Sequence, residues 1–110
     1  MPVIDARIVP DDEWDLPAVS VGVLNAGDRH VLQNLRGPGQ SQNLVYVGCL
    51  VVNGATDFVT LEDNVGRRFP VQAGQPGHCD VDGATSLAVL VNSAVTAGQV
   101  VLIPRVRRLG

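Results

Sequence analysis

Valine sets the limits on what this chain can become. It supplies 20 of the 110 residues, in short runs cut by Gly, Pro, Asn and Asp. Its branched Cβ fits a pleated surface and loses rotamer freedom in a helix. Eight short strands are predicted: Ala18–Leu24, His30–Leu35, Leu44–Val52, Phe58–Asp63, Arg68–Val71, His78–Val81, Ser86–Val91 and Gln99–Val106. The breaks between them have turn chemistry: Asn25-Ala26-Gly27-Asp28, Arg36-Gly37-Pro38-Gly39-Gln40, the hairpin-type pair Asn53-Gly54, Asn64-Val65-Gly66, Ala73-Gly74-Gln75-Pro76-Gly77, Asp82-Gly83 and Ala97-Gly98. There is no helix-length amphipathic pattern and no internal repeat. The expectation is an all-β antiparallel sandwich, with a jelly roll favoured over another Greek key by the strand number.

A chain of this length is one domain and can bury a core without metal or disulfide staples. Some strands alternate: Val19, Val21 and Val23 share one face, with Ser20 and Gly22 opposite. Others are apolar on both faces. In Leu44–Val52, residues Val45, Val47, Cys49 and Val51 lie on one side and Leu44, Tyr46, Leu50 and Val52 on the other. Leu87–Val91 and Val100–Ile103 are apolar throughout. One face of each sheet of a sandwich should meet water. Strands with two apolar faces therefore predict a further covering layer, most economically another subunit. Only 17% of residues are charged, which agrees with part of the surface being covered.

The charges are segregated. Residues 1–17 hold Asp5, Asp11, Asp12, Glu13 and Asp15 against Arg7, and Pro2, Pro10 and Pro17 punctuate them. This segment reads as an acidic, extended N-terminal arm, in which Val3–Val9 can add a strand to a sheet edge. Residues 18–110 read as one sandwich domain ending in a basic tail, Arg105, Arg107 and Arg108. Arm and tail can pair within a subunit or between neighbours. Trp14, the lone tryptophan, can anchor in a neighbour's pocket or fold back on its own sheet edge. The candidate interface residues are Trp14, Asp11, Asp12, Glu13, Tyr46, Arg105, Arg107 and Arg108. The net charge of −3 argues against nucleic acid as a partner, and no run approaches a membrane span. The amino end lacks the basic and apolar regions of a cleavable signal, so synthesis in a cytoplasm is expected.

Chemistry is hard to find. His78-Cys79-Asp80 looks like a ligand cluster, yet on a strand His78 and Asp80 point away from Cys79. A zinc site needs three or four convergent ligands, and no spacing brings His30 or Cys49 to it. Asp11-Asp12-Glu13-Trp14-Asp15 lacks the glycine and later glutamate of a calcium loop. Ser20, Ser41, Ser86 and Ser93 have no nucleophile-elbow context. Arg36-Gly37-Pro38-Gly39 lacks the Gly-Lys-Ser/Thr ending of a phosphate loop. Asp63 with Arg67 and Arg68 suggests a local ion pair. Cys49 and Cys79 belong to no CxxC pair, and their bonding stays open at this point. No catalytic residue, cofactor or metal is therefore assigned, and the chain is expected not to be an enzyme.

The segment Phe69-Pro70-Val71-Gln72-Ala73-Gly74-Gln75 enters a turn before strands at Cys79–Val81 and Ser86–Val91, and Gly98-Gln99-Val100-Val101-Leu102-Ile103-Pro104 closes the chain with a valine-rich strand. Over residues 58–104 this resembles the small β-sandwich proteins of tailed bacteriophage virions. The resemblance implies a structural role as a head decoration or cement protein, or as a small head or tail accessory subunit. It implies no active site. Jelly-roll cement proteins commonly act as trimers. A homotrimer, held by sandwich packing and by exchange of residues 1–17 onto a neighbour's sheet edge with Trp14 as the apolar anchor, partnered with a major capsid or other virion protein and located in the virion, is thus expected. The alternative is a receptor- or glycan-binding module of a phage tail or bacterial surface assembly, with Gly37–Asn43 as its loop set.

Overall fold

The valine alternation sorts itself into an inner and an outer face. In a computed structural model that describes residues 12–36 and 43–109, nine strands form among those residues, with no helix among them. They are β1 (Glu13–Asp15), β2 (Val19–Ser20), β3 (Arg29–Val31), β4 (Leu44–Asn53), β5 (Val59–Asp63), β6 (Arg68–Val71), β7 (Pro76–Cys79), β8 (Leu87–Val91) and β9 (Val100–Arg108). Eight match the predicted strands to within a few residues, and β1 is additional. The expected strand over Val3–Val9 lies outside the described residues.

All pairings are antiparallel. One sheet runs β1–β9–β4–β7, with β2 also on β9, and the other runs β3–β8–β5–β6. The partners nest: β2 with β9, β3 with β8, β4 with β7 and β5 with β6. Successive nested pairs fall in alternate sheets. A long hairpin wrapped in this way is a jelly roll. The core lies between the sheets. Val59, Leu61, Val89 and Val91 face Val51, Val100, Leu102 and Val106, each 1% exposed or less. Fully burying such side chains stabilises by about 1.5–3 kcal/mol each, before conformational entropy is counted.

Two irregularities shape the first sheet. The register on β9 moves by one between β1 (Asp15 opposite Arg105) and β2 (Val19 opposite Leu102). Leu16 N–H still donates to the Pro104 carbonyl at 2.8 Å. Pro104 has no N–H to return, and Pro17 follows at once, so the edge strand bulges here. Proline inside a central strand is unusual; it is tolerated because its nitrogen meets that bulge. The second shift falls at Val47, between Tyr46 and Gly48. It turns both Tyr46 and Cys49 into the core, 1% exposed each, where strict alternation would separate them.

Two expectations need correction. Val23 does not share the face of Val19 and Val21, being 71% exposed. The strand ends at Ser20, and Leu24 exchanges both backbone hydrogen bonds with Val95, which turns Val23 outward. Asn53-Gly54 is not a tight hairpin, because β4 and β5 lie in different sheets. The buried Asn53 amide instead donates to the carbonyls of Asp57 (2.9 Å) and Val71 (3.0 Å), and its oxygen accepts from Ala55 N–H (3.0 Å). Gly54 passes so close to Gln99 that an added Cβ would sit 2.8 Å from the Gln99 carbonyl oxygen.

Candidate interaction surface

The arm meets the tail within one chain. β1 pairs with the end of β9, setting Glu13 opposite Arg107, Trp14 opposite Val106 and Asp15 opposite Arg105. On the outer face, Arg105 reaches Glu13 (3.2 Å) and Asp15 (3.1 Å). Arg107 reaches Glu13 (3.8 Å) and Asp82 (2.9 Å). Asp15 and then Glu13 hold the Arg105 guanidinium above its ordinary value. Such exposed pairs stabilise by about 0–1 kcal/mol each; their larger effect is to fix the register of the edge.

The two expectations for Trp14 divide here. It packs against its own core, and the Arg108 guanidinium lies 5.1 Å above its ring as a cation–π contact. Arg108 N–H donates to the Asp12 carbonyl at 2.7 Å. Tyr46 is core, 1% exposed, and its hydroxyl donates to the Gln33 carbonyl at 2.7 Å. Burial, then Cys49, pushes the Tyr46 phenol up to about 12. Asp11 lies outside the described residues, as do residues 37–42 of the expected contact loop. So Glu13, Trp14, Arg105, Arg107 and Arg108 come together at one sheet corner, with their charges already engaged, and Tyr46 lies beneath.

Beside that corner is a surface that residue types alone did not single out. Val52 pairs with Val101 and Leu50 with Ile103 across β4 and β9, all four outward. Val52 is 39% exposed, the other three are half-buried, and no further layer of described residues covers them. Toward the charged corner the surface dips into a hollow of about 260 Å³ lined by Asp15, Gly48, Leu50, His78, Ile103 and Arg105. Gly48 makes room for it: a Cβ there would lie 3.2 Å from His78 Nε2. The signal was present in the doubly apolar strands, but the bulge at Val47 decides which residues share the outer face.

The other sheet offers a smaller apolar area around Leu90 and the 37%-exposed Phe58. There Glu62 lies between Arg29 (3.1 Å) and Arg68 (3.3 Å). The Arg68 contact is close enough for an ion pair but lacks hydrogen-bond geometry, which leaves Glu62 Oε2 buried without a donor. Asp63 takes the Arg67 guanidinium at 2.6 Å, and Arg67 also donates to the Asp82 carbonyl. Asn92 Nδ2 donates to Asp57 Oδ2 at 2.6 Å, and Ser93 Oγ joins at 2.8 Å. Those two bonds hold the Asp57 carboxyl below its ordinary value and tie two loops together. Among the described residues, no three His, Cys, Asp or Glu side chains gather to hold a metal ion. No helix among them is long and apolar enough to cross a membrane.

No family of known proteins, no curated protein and no solved structure matches this chain.

Proposed function

We propose that this chain is a structural subunit of an assembly and not an enzyme: a virion protein of the head-decoration or cement type, joined to its own copies and to a capsid protein. One observation carries the reading. Leu50, Val52, Val101 and Ile103 form an outward apolar surface over the longest strands, bordered by ion pairs. An apolar centre with a polar rim suits a protein contact. The jelly roll is compatible but decides less, since that fold serves capsid and lectin domains alike.

Symmetry narrows the arrangement. The outer faces of the two sheets point in opposite directions, so stacking one on the other builds an open pile. A closed trimer needs the apolar face of one copy set against the flank of the next. The described part of the arm is engaged with its own sheet, which favours contact through the face over contact by exchanged arms. The receptor- or glycan-binding reading has less support, because Trp14, Tyr46 and Phe69 pack against the core and leave Phe58 as the exposed aromatic.

Light scattering over a concentration range tests the reading, on the native chain and on Leu50→Glu/Ile103→Glu. The native chain should show a closed oligomer, a trimer being favoured, and the variant should be a folded monomer. A native chain that is monomeric both alone and with capsids would overturn the proposal, as would a variant that assembles like the native chain.

A further inference from the structure

Cys49 and Cys79 are register partners across β4 and β7. Two prolines set the phase of that ladder. Pro104, opposite Cys49 on β9, has no N–H to give it, and Pro76, opposite Val52 on β7, has none either. A residue in an antiparallel sheet directs its N–H and C=O to one neighbour only. Two backbone bonds just past the end of the ladder agree with the phase: Gly54 N–H donates to the Gln99 carbonyl on the β9 side, and the Asn53 carbonyl accepts from Gly74 N–H on the β7 side. Cys49 therefore directs its backbone groups to β7, and Cys49–Cys79 is a hydrogen-bonded pair. Pairs of that type hold their Cα atoms about 5.5 Å apart. Disulfides span roughly 5.5–6 Å most often.

Both side chains turn to the same inner face, 1% and 2% exposed, and both are free thiols. We infer that Cys49 and Cys79 form a reversible disulfide that fastens the edge strand β7 to β4. Burial keeps the thiols protonated in the closed sheet, Cys49 being pushed up to about 12 and Cys79 to about 11. Reaction therefore needs β7 to open first. It is the outermost strand of its sheet, only 4 residues long, and edge elements are the ones that open locally. The oxidant is a hydroperoxide. One thiolate attacks the terminal peroxide oxygen, forming a sulfenic acid and releasing the alcohol, or water from hydrogen peroxide. The second thiolate displaces the sulfenic hydroxyl as water and closes the sulfur–sulfur bond. Overall, two thiols lose two protons and two electrons to one peroxide bond. The inference stands apart from the assembly reading.

The full-length chain is treated with hydrogen peroxide at neutral pH, then analysed by intact mass, peptide mapping and urea unfolding. The expected product has lost two hydrogen atoms, contains one linked Cys49–Cys79 peptide pair, and reverts with a phosphine reductant. Its urea midpoint should rise by roughly 1 M or more, from the constraint on the unfolded chain. Cys79→Ser should give no linked product. Thiols that stay unlinked under conditions that oxidise the urea-unfolded chain would overturn the inference. So would linkage only between chains, or conversion to sulfinic acid without linkage.

Discussion

The two sheets of this sandwich follow different rules. In β3–β8–β5–β6, the β5 and β8 side chains alternate without a break, and the register between them does not shift. In the β9-centred sheet the register slips twice, a proline sits mid-strand, and two cysteines face each other. Alternation alone builds the first sheet. The second needs bulges to aim its side chains, and it is the one that presents the outward apolar surface and the thiol pair. Irregularity, here, is where a surface differs from a wall.

That contrast can be broken by substitution. Leu61 in the regular sheet and Leu102 in the bulged one are both 0% exposed. Leu61→Ala should cost about 3–5 kcal/mol in urea unfolding. Leu102→Ala should cost the same if the sheets form one rigid core. A loss below ~2 kcal/mol at Leu102 alone would mean that the bulged sheet relaxes into the space left behind. Asn53→Ala should cost roughly 2–3 kcal/mol, because it orphans two carbonyls and one N–H where β4 meets the end of β6. A loss of a few tenths would show that water replaces the amide and that the sheets are joined by the apolar core alone.

Alkaline titration sharpens the contrast further. The folded Tyr46 phenol lies above its unfolded value, so its contribution is whole below pH 10 and is lost as pH rises toward 12. Melting temperature should fall over that window. Tyr46→Phe should flatten this part of the curve, and an unchanged slope would place the alkaline weakness elsewhere. The smallest effects belong to the surface charges. Glu13→Gln on the bulged sheet and Glu62→Gln on the regular one should each cost under about 1 kcal/mol, the former diminishing with salt. A Glu62 loss well above that would mark the Arg29–Glu62–Arg68 group as structural.

Much of the fold was legible in residue order, because valine spacing and glycine turns are local signals. Arg68–Val71 was placed to the residue, and most other strands to within one or two. The misplacements have long-range causes. Asn53-Gly54 has hairpin chemistry, but the buried Asn53 amide is satisfied by Val71, eighteen residues away. Val23 continues an apolar alternation, but Val95 captures Leu24. The acidic arm and basic tail were visible as charges, while their registry depends on Pro17 and Pro104 meeting across the ladder. For the same reason the apolar surface was foreseeable in kind but not in membership.

Pro76 and Pro70 stand on the outermost strands β7 and β6, and Pro17 interrupts a third border, opposite β9. Each removes a hydrogen-bond donor that a passing strand would need. An open sheet border is exposed to runaway polymerisation, in which sheet after sheet is added into a fibre. These prolines act as terminators against it, so crowding alone would leave neighbouring chains unjoined at these borders.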